Sequence, residues 1–478
     1  MCDALMVSAL KKLCLNRNKN ITSLGWQALS TVIRHPNCQL VKLELQDTLD
    51  SDNELSILGN ALIGSSVKIL DLRGSVMIRF NPSISSEGWQ TFINHLSQTH
   101  LVCLDLRYNK TIDDDSLAGL ASIGTLQSLV LSSNKTITPS GWKFLFNSLQ
   151  RRTTKLKKLD ISYNNIGNEG INALGSLLCS MSTLKTLDID EISYSYPEQD
   201  NPNNYVANIT PQAWVSLFTT LQDTNLDLVN LSVGSNTIDD DGMQLLMPLV
   251  SSMSSLKCLN LRCNRSVTPV GWQALTGLIQ SPNFVLRELY LNSNGLKFGL
   301  DLLIDFTSAL THNKTLETLY VEHNSGDENG NDVITNRGRA AVCKLLCNKT
   351  SIMDTYNSNH TLKEVSIYDN TPDDTESYLN LNENKDKAEV ARQKILQTHF
   401  STEDLDSSKL QVLLDMELEM MPTAVEWIGR PLPTIGWIRK KVSGLSYNLM
   451  RRMPDLFDSS AQAKPSAVKR KRDNSPDI

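Results

Sequence analysis

Residues 101–109 read LVCLDLRYN, residues 126–134 LQSLVLSSN, and residues 256–264 LKCLNLRCN. All three fit one template, L-x-x-L-x-L-x-x-N. LKKLDISYN at 156, LVNLSVGSN at 228, LRELYLNSN at 286 and LETLYVEHN at 316 fit it as well. Weaker copies begin at Leu10, Leu40, Val67, Leu184 and Leu362, which makes twelve starts. Most spacings fall between 25 and 34 residues, and two are expanded to 44 and 46. The L-x-L centre is a short strand whose alternate side chains point to opposite faces. The Asn ends the strand, and its amide can hydrogen-bond buried backbone groups of a neighbour. Apolar helical stretches such as INALGSLLCSM (171–181) follow the strands. One such unit cannot bury its own apolar face, so neighbours must stack. The expected fold is therefore an α/β solenoid with a parallel concave sheet, outer helices and about twelve repeats.

A second period overlies the first. ITSLGWQAL, ISSEGWQTF, ITPSGWKFL, ITPQAWVSL and VTPVGWQAL place Trp26, Trp89, Trp142, Trp214 and Trp272 in alternate repeats. IDDDSLAGL, IGNEGINAL and IDDDGMQLL lie between them. The true unit is a pair of ~28-residue repeats. The Thr or Ser before each Trp motif reads as a helix N-cap, with Pro next to it at Thr138-Pro139. The tryptophans can be a ligand stripe or packing beneath each helix start, and their regular placement favours packing. Asp113–Asp115 and Asp239–Asp241 sit where a helix N-terminus favours negative charge. They lack the loop and final Glu of a helix-loop-helix calcium site.

These repeats resemble the ribonuclease-inhibitor-like leucine-rich repeat (LRR) proteins over about residues 5 to 370. The resemblance implies a curved horseshoe that binds other proteins. This chain has Asn where ribonuclease inhibitors carry a cysteine-rich ladder. The Ran GTPase-activating proteins use a similar repeat, but no motif here carries their functional residues across.

Composition agrees with a folded, acidic, soluble class. The chain has 478 residues, 40% hydrophobic, with a net charge of −6. That balance argues against a general nucleic-acid coat. No run reaches the ~18 apolar residues of a membrane span. The N-terminus lacks the basic start of a secretory signal. Nine cysteines without a CxxC pair read as reduced thiols, not as a zinc site. The protein is expected in the cytoplasm or nucleus, as a monomer, with no metal or cofactor.

The template also ranks surface positions. One column of strand positions runs through Asp71, Asp105, Asp160, Asp188, Tyr290 and Tyr320. The next holds Arg73, Arg107, Asp190, Arg262, Glu322 and Tyr368, with Tyr108 and Tyr163 adjacent. Tyr and Arg are frequent binding anchors. The expected partner-binding set is Arg73, Arg107, Tyr108, Asp160, Tyr163, Asp188, Asp190, Arg262, Tyr290, Tyr320, Glu322 and Tyr368. Alternatively, Asp and Arg of adjacent strands neutralise each other. The insertion at 191–209 adds Tyr194, Tyr196 and Tyr205 on one rim.

Residues 1–370 form the expected repeat domain and 371–385 an acidic linker. Residues 386–457 read as a helical extension or cap, and 458–478 as a disordered basic tail. Lys469, Arg470, Lys471 and Arg472 are a nuclear-localisation candidate. No nucleophile elbow, metalloprotease motif or P-loop occurs. The expected function is a non-catalytic protein-binding scaffold or adaptor. The alternative is a regulator of a small GTPase.

Overall fold

A computed structural model describes residues 10–75, 84–152, 155–195, 206–294, 300–322, 336–366 and 373–399. Tyr196, Tyr205, Tyr368 and the Lys469–Arg472 cluster lie outside the described residues, as do the expected helices beyond 400.

Twelve short strands form one parallel sheet in chain order. They are β1 (Lys12–Cys14), β2 (Lys42–Glu44), β3 (Ile69–Asp71), β4 (Cys103–Asp105), β5 (Ser128–Val130), β6 (Lys158–Asp160), β7 (Thr186–Asp188), β10 (Asn230–Ser232), β11 (Cys258–Asn260), β12 (Glu288–Tyr290), β13 (Thr318–Tyr320) and β14 (Glu364–Ser366). Each begins two residues after one of the twelve starts read from the sequence. Between β7 and β10, β8 (Tyr194–Ser195) and β9 (Val206–Ala207) pair antiparallel, so a small ribbon forms the base of the insertion. The central Leu of each strand of the parallel sheet from β2 to β12 pairs with Leu on both sides, Leu319 of β13 pairs with Leu289 and Val365, and Leu43, Leu70, Leu104, Leu129, Leu159, Leu259 and Leu289 are wholly buried.

The template Asn residues form the expected ladder. Asn164 Nδ2 donates to the Leu131 and Ile161 carbonyls at 3.0 and 2.9 Å, while its Oδ1 accepts the Asn134 N–H at 2.8 Å. Asn134 treats Leu106, Leu131 and the Asn109 N–H in the same way. Asn236 and Asn264 repeat the arrangement. The residue before the ladder position has a positive φ in most repeats, including Arg17, Tyr108, Ser133, Tyr163 and Cys263. This left-handed residue turns the chain out of the sheet, at a backbone cost of about 1 kcal/mol or more for a non-Gly side chain.

On the other side of the sheet lie α1 (Ser23–Arg34), α2 (Asp52–Leu62), α3 (Ser86–Leu96), α4 (Pro139–Gln150), α5 (Gly167–Cys179), α6 (Pro211–Leu221), α7 (Asp240–Ser252), α8 (Pro269–Gln280), α9 (Leu300–Thr311) and α10 (Asn336–Leu346). Between α3 and α4 the chain makes a 3₁₀ helix, Asp115–Ser122, instead of the expected α-helix. This is the shortest repeat, and a 3₁₀ helix spans the distance with fewer residues because it rises about 2.0 Å per residue. The five tryptophans are buried to 2% exposure or less, so they pack beneath the helix starts and form no ligand stripe.

The pairing of repeats has a specific cause. Thr22, Ser85 and Thr138 cap their own helices by accepting the N–H of Gly25, Gly88 and Gly141. Each later cap is also held by an Asp or Asn side chain of the preceding repeat. Asp52 accepts the Ser85 N–H and hydroxyl, both at 2.7 Å. Asp114 accepts the Thr138 N–H at 2.7 Å and its hydroxyl at 2.5 Å. Asp240 accepts the Thr268 N–H at 2.7 Å, and Asn168 substitutes for Asp at Thr210. The Gly before Trp is required by this contact. A Cβ on Gly88, Gly141 or Gly271 would fall onto Asp52, Asp114 or Asp240.

The chain divides into two compact units. The first comprises residues 1–346 and 361–383, the second 347–360 and 384–478. The stretch expected as a linker contains α12 (Asp373–Asn382), which belongs to the first unit. Its polar composition hides a helix anchored by few residues: Thr375 and Tyr378 are buried, and Asn382 Nδ2 donates to the Leu362 carbonyl at 2.6 Å. In the second unit, α11 (Ile352–Tyr356) packs with α13 (Lys387–His399). There the Thr355 hydroxyl meets His399 Nε2 at 2.8 Å, and the buried Lys394 amine donates to the Asn359 carbonyl at 2.9 Å. Burial pushes the Lys394 pKa down to about 7.

Candidate functional site: the open face of the sheet

Alternation places the first and last residue of each strand, and the residue two beyond, on the face away from the buried leucines. The register aligns these positions into columns. Asp71 pairs with Asp105, Asp160 with Asp188, and Tyr290 with Tyr320.

The charges at the start of this face are internally neutralised. Glu44 pairs with Lys42 at 2.7 Å and Lys12 at 3.1 Å. The Lys42 hydrogen bond is the main cause holding its carboxyl down to about 2. Arg73 forks onto Asp71, with Nε at 2.9 and 3.0 Å from the two oxygens and NH2 at 2.7 Å. Arg107 does the same to Asp105 at 3.0 and 2.9 Å. Neutralisation therefore runs chiefly within a strand, between residues two apart, with Arg73 reaching Asp105 only at 4.0 Å.

The middle of the face holds two kinds of carboxylate. Asp190, 4% exposed, accepts the Ser232 hydroxyl and Gly234 N–H at 2.6 Å, Asn260 Nδ2 at 3.0 Å, and faces Arg262 at 3.2 Å. Arg262 also donates to the Tyr163 hydroxyl at 2.7 Å, so residues of four repeats meet in one cluster. Asp160 accepts the Ser162 hydroxyl at 2.8 Å. Asp188 lies beside Asp160, and among the described residues no arginine pairs with it. Burial, then repulsion from Asp160 and Asp190, pushes its carboxyl up to about 7, against a weaker pull from Lys158.

Toward the end of the face, Tyr290 and Tyr320 stack with ring centroids 4.9 Å apart and planes 8° from parallel. The Tyr290 hydroxyl donates to Glu288 at 3.2 Å and that of Tyr320 to Glu364. Burial first, then Glu288, pushes the Tyr290 pKa up to about 12, and the Glu364 hydrogen bond leads the same rise at Tyr320. Burial likewise pushes the Cys258 thiol up to about 12, so it stays protonated.

The structure thus joins Tyr163, Asp190 and Arg262, sets Asp160 against Asp188, and stacks Tyr290 on Tyr320. Tyr108 and Tyr163 occupy the left-handed turn position, and Glu322 lies two residues beyond Tyr320. Tyr194 lies in the β8 ribbon strand. The sequence reading overlooked the first strand column, which supplies Lys42, Lys158, Glu288 and Glu364. The alternation rule alone places them on the same face. Among the described residues no cluster of His, Cys, Asp or Glu is placed to hold a metal ion, and no helix is long and apolar enough to cross a membrane.

A leucine-rich repeat family model matches residues 97–121, 153–175, 224–247 and 252–275. The chain is 27% identical to the ribonuclease inhibitor of Sus scrofa over 320 residues, 66% of this chain and 58% of that protein. It is 24% identical to NACHT, LRR and PYD domains-containing protein 4C of Mus musculus over 375 residues, 72% of this chain and 33% of that protein. The chain thus spans less than two thirds of the length of either relative. Among solved structures, a chain of the yeast Rad7 and Elc1 complex is similar with a TM-score of 0.49 and 18% identity, covering 77% of this chain and 79% of that one. The fold is a leucine-rich repeat solenoid. Within that class, the repeats of this chain are similar to those of ribonuclease inhibitor.

Proposed function

We propose that this protein is a non-catalytic scaffold or adaptor that recognises a partner protein on the open face of its sheet. The observation that carries this reading is the arrangement of Asp188 and the Tyr290–Tyr320 pair. None of the three is needed to fill the core, yet each is held in place by its neighbours. Like charge crowds Asp188 in the free protein, and a cationic group brought by a partner relieves that repulsion. The stacked tyrosines offer rigid apolar area with their hydroxyls already bonded, the character of a binding anchor. Leucine-rich repeat relatives are interaction scaffolds, which supports the same class. The contact set extends to Tyr163, Glu322 and the insertion rim at Tyr194. Arg73, Arg107, Asp190 and Arg262 serve first to order the face. The eight described cysteines are free thiols, in keeping with a cytoplasmic or nuclear site of action.

The test is affinity capture from native extract with the full chain, beside a Tyr290→Ala/Tyr320→Ala variant and an Asp188→Asn variant. The expected result is a specific protein retained by the parent chain and lost, about ten-fold or more, with the tyrosine pair. Circular dichroism checks that the variants keep their helices. Unchanged capture by folded variants overturns the open-face reading. A GTP-hydrolysis assay on any captured small GTPase separates adaptor from regulator.

A further inference from the structure

The residue just before each strand forms a column of its own, on the rim where the strands begin. Backbone hydrogen bonds link these residues rung to rung. The N–H of Lys185 donates to the Lys157 carbonyl, that of Lys257 to Val229, that of Arg287 to Lys257 and that of Lys363 to Glu317, each at 2.8 Å. Seven of the twelve rungs are basic and one, Glu317, is acidic, in a chain whose net charge is −6. From Lys157 to Lys363, seven rungs carry five cations. Lys157, Lys257 and Arg287 are exposed. Lys185 is tied to Asp227, and Glu317 bridges Arg287 and Lys363. The ladder gives this rim a fixed repeat of about 4.8 Å per rung, hence about 29 Å from Lys157 to Lys363.

We infer that the strand-start rim from Lys157 to Lys363 is a docking surface for an extended, acidic segment of a partner protein, separate from the open face. Charge complementarity sets the sign of the occupant, and the interruptions set its class. Asp227 and Glu317 break the row and repel a uniformly charged polyanion. A peptide can place a neutral or basic residue opposite each of them. The rim has lysines as point charges and one arginine already engaged by Glu317, with no aromatic residue among its rungs. It therefore lacks the stacking platforms with which proteins hold single-stranded nucleic acid. An extended peptide in polyproline II form rises about 3.1 Å per residue and repeats its side-chain direction every third residue, so carboxylates at that spacing lie on one side about 9 Å apart, close to two rungs.

The test uses the full chain and a fluorescein-labelled peptide of about twelve residues with Glu at every third position, followed by anisotropy at low and moderate salt. Its Gln-substituted counterpart is the control. The expected result is salt-sensitive binding of the Glu peptide alone, weakened about ten-fold or more by Lys157→Glu/Lys257→Glu. Both lysines are exposed, and circular dichroism verifies that the variant is folded. Tyr290→Ala/Tyr320→Ala, which removes the open-face anchors, leaves peptide binding unchanged, so failure of one surface is told apart from failure of the other. Absence of binding, or equal binding by the folded reversal variant, overturns the inference. Tighter, lysine-dependent binding of a single-stranded oligonucleotide or of phosphatidylserine vesicles also overturns it, and reassigns the rim to that ligand.

Discussion

Asn164 bridges three segments with one amide: its own turn, the preceding strand end and the Asn134 N–H. Asn164→Ala removes all three bonds from a site with no access to water. Each orphaned group costs about 1–3 kcal/mol, so the urea midpoint is expected to fall sharply, with the loss read from equilibrium unfolding. Asp188 makes the opposite prediction. Its folded pKa is raised to about 7, so the folded state holds a proton that the unfolded chain has lost above about pH 4. The stability it contributes is present at low pH and lost as pH rises through about 7. Asp188→Asn mimics the protonated form. It is expected to match the parent near pH 4 and to exceed it by a growing margin up to about pH 7, as measured by thermal unfolding across pH. At this scale the ladder amides were legible, because the template fixes their place in every repeat. The left-handed turn at Tyr108 and Tyr163 was not, because neither side chain has a preference for positive φ.

At the scale of elements, the alternating repeats are a joinery of helix starts. Asp114 holds the cap of α4, and Gly141 leaves room for it. Gly141→Ala places a methyl on that carboxylate and is expected to destabilise by about 1–3 kcal/mol. Asp114→Ala costs about 1 kcal/mol as a lost capping partner. The double variant is expected to cost less than the two together, because the clash disappears with the carboxylate, and a double-mutant cycle on unfolding free energies reads this coupling. The sequence displayed both halves of the device, the Asp triplets and the Gly-Trp pairs. Their connection could not be read, since the middle Asp of each triplet acts on the helix of the next repeat, while Asp113 and Asp239 serve their own helix starts. The 3₁₀ helix at Asp115–Ser122 and α12 were missed for related reasons. A shortened repeat changes the helix type, and α12 is held by a few buried contacts within a polar sequence.

For the whole molecule, the proposed binding on the open face links association to protonation. A partner that brings a cation to Asp188 favours its ionised form. Affinity is therefore expected to rise from about pH 5 to pH 7 and then level off, with the dependence lost in Asp188→Asn. Titration of the captured partner across that range, with proton release followed in two buffers of different ionisation enthalpy, checks this. The repeat template by itself determined the strand positions, the parallel order, the buried leucines and the columns of the open face. Those follow from local periodicity, and stacking propagates them from one unit to the next. Only the tertiary structure decided which charges on that face are free. Arg262 meets Tyr163, 99 residues away in sequence, and takes up Asp190, while Asp188 receives no such partner among the described residues. A side chain's counter-ion is chosen by distance across the sheet, and residue order along the chain does not encode that distance until the repeats have stacked.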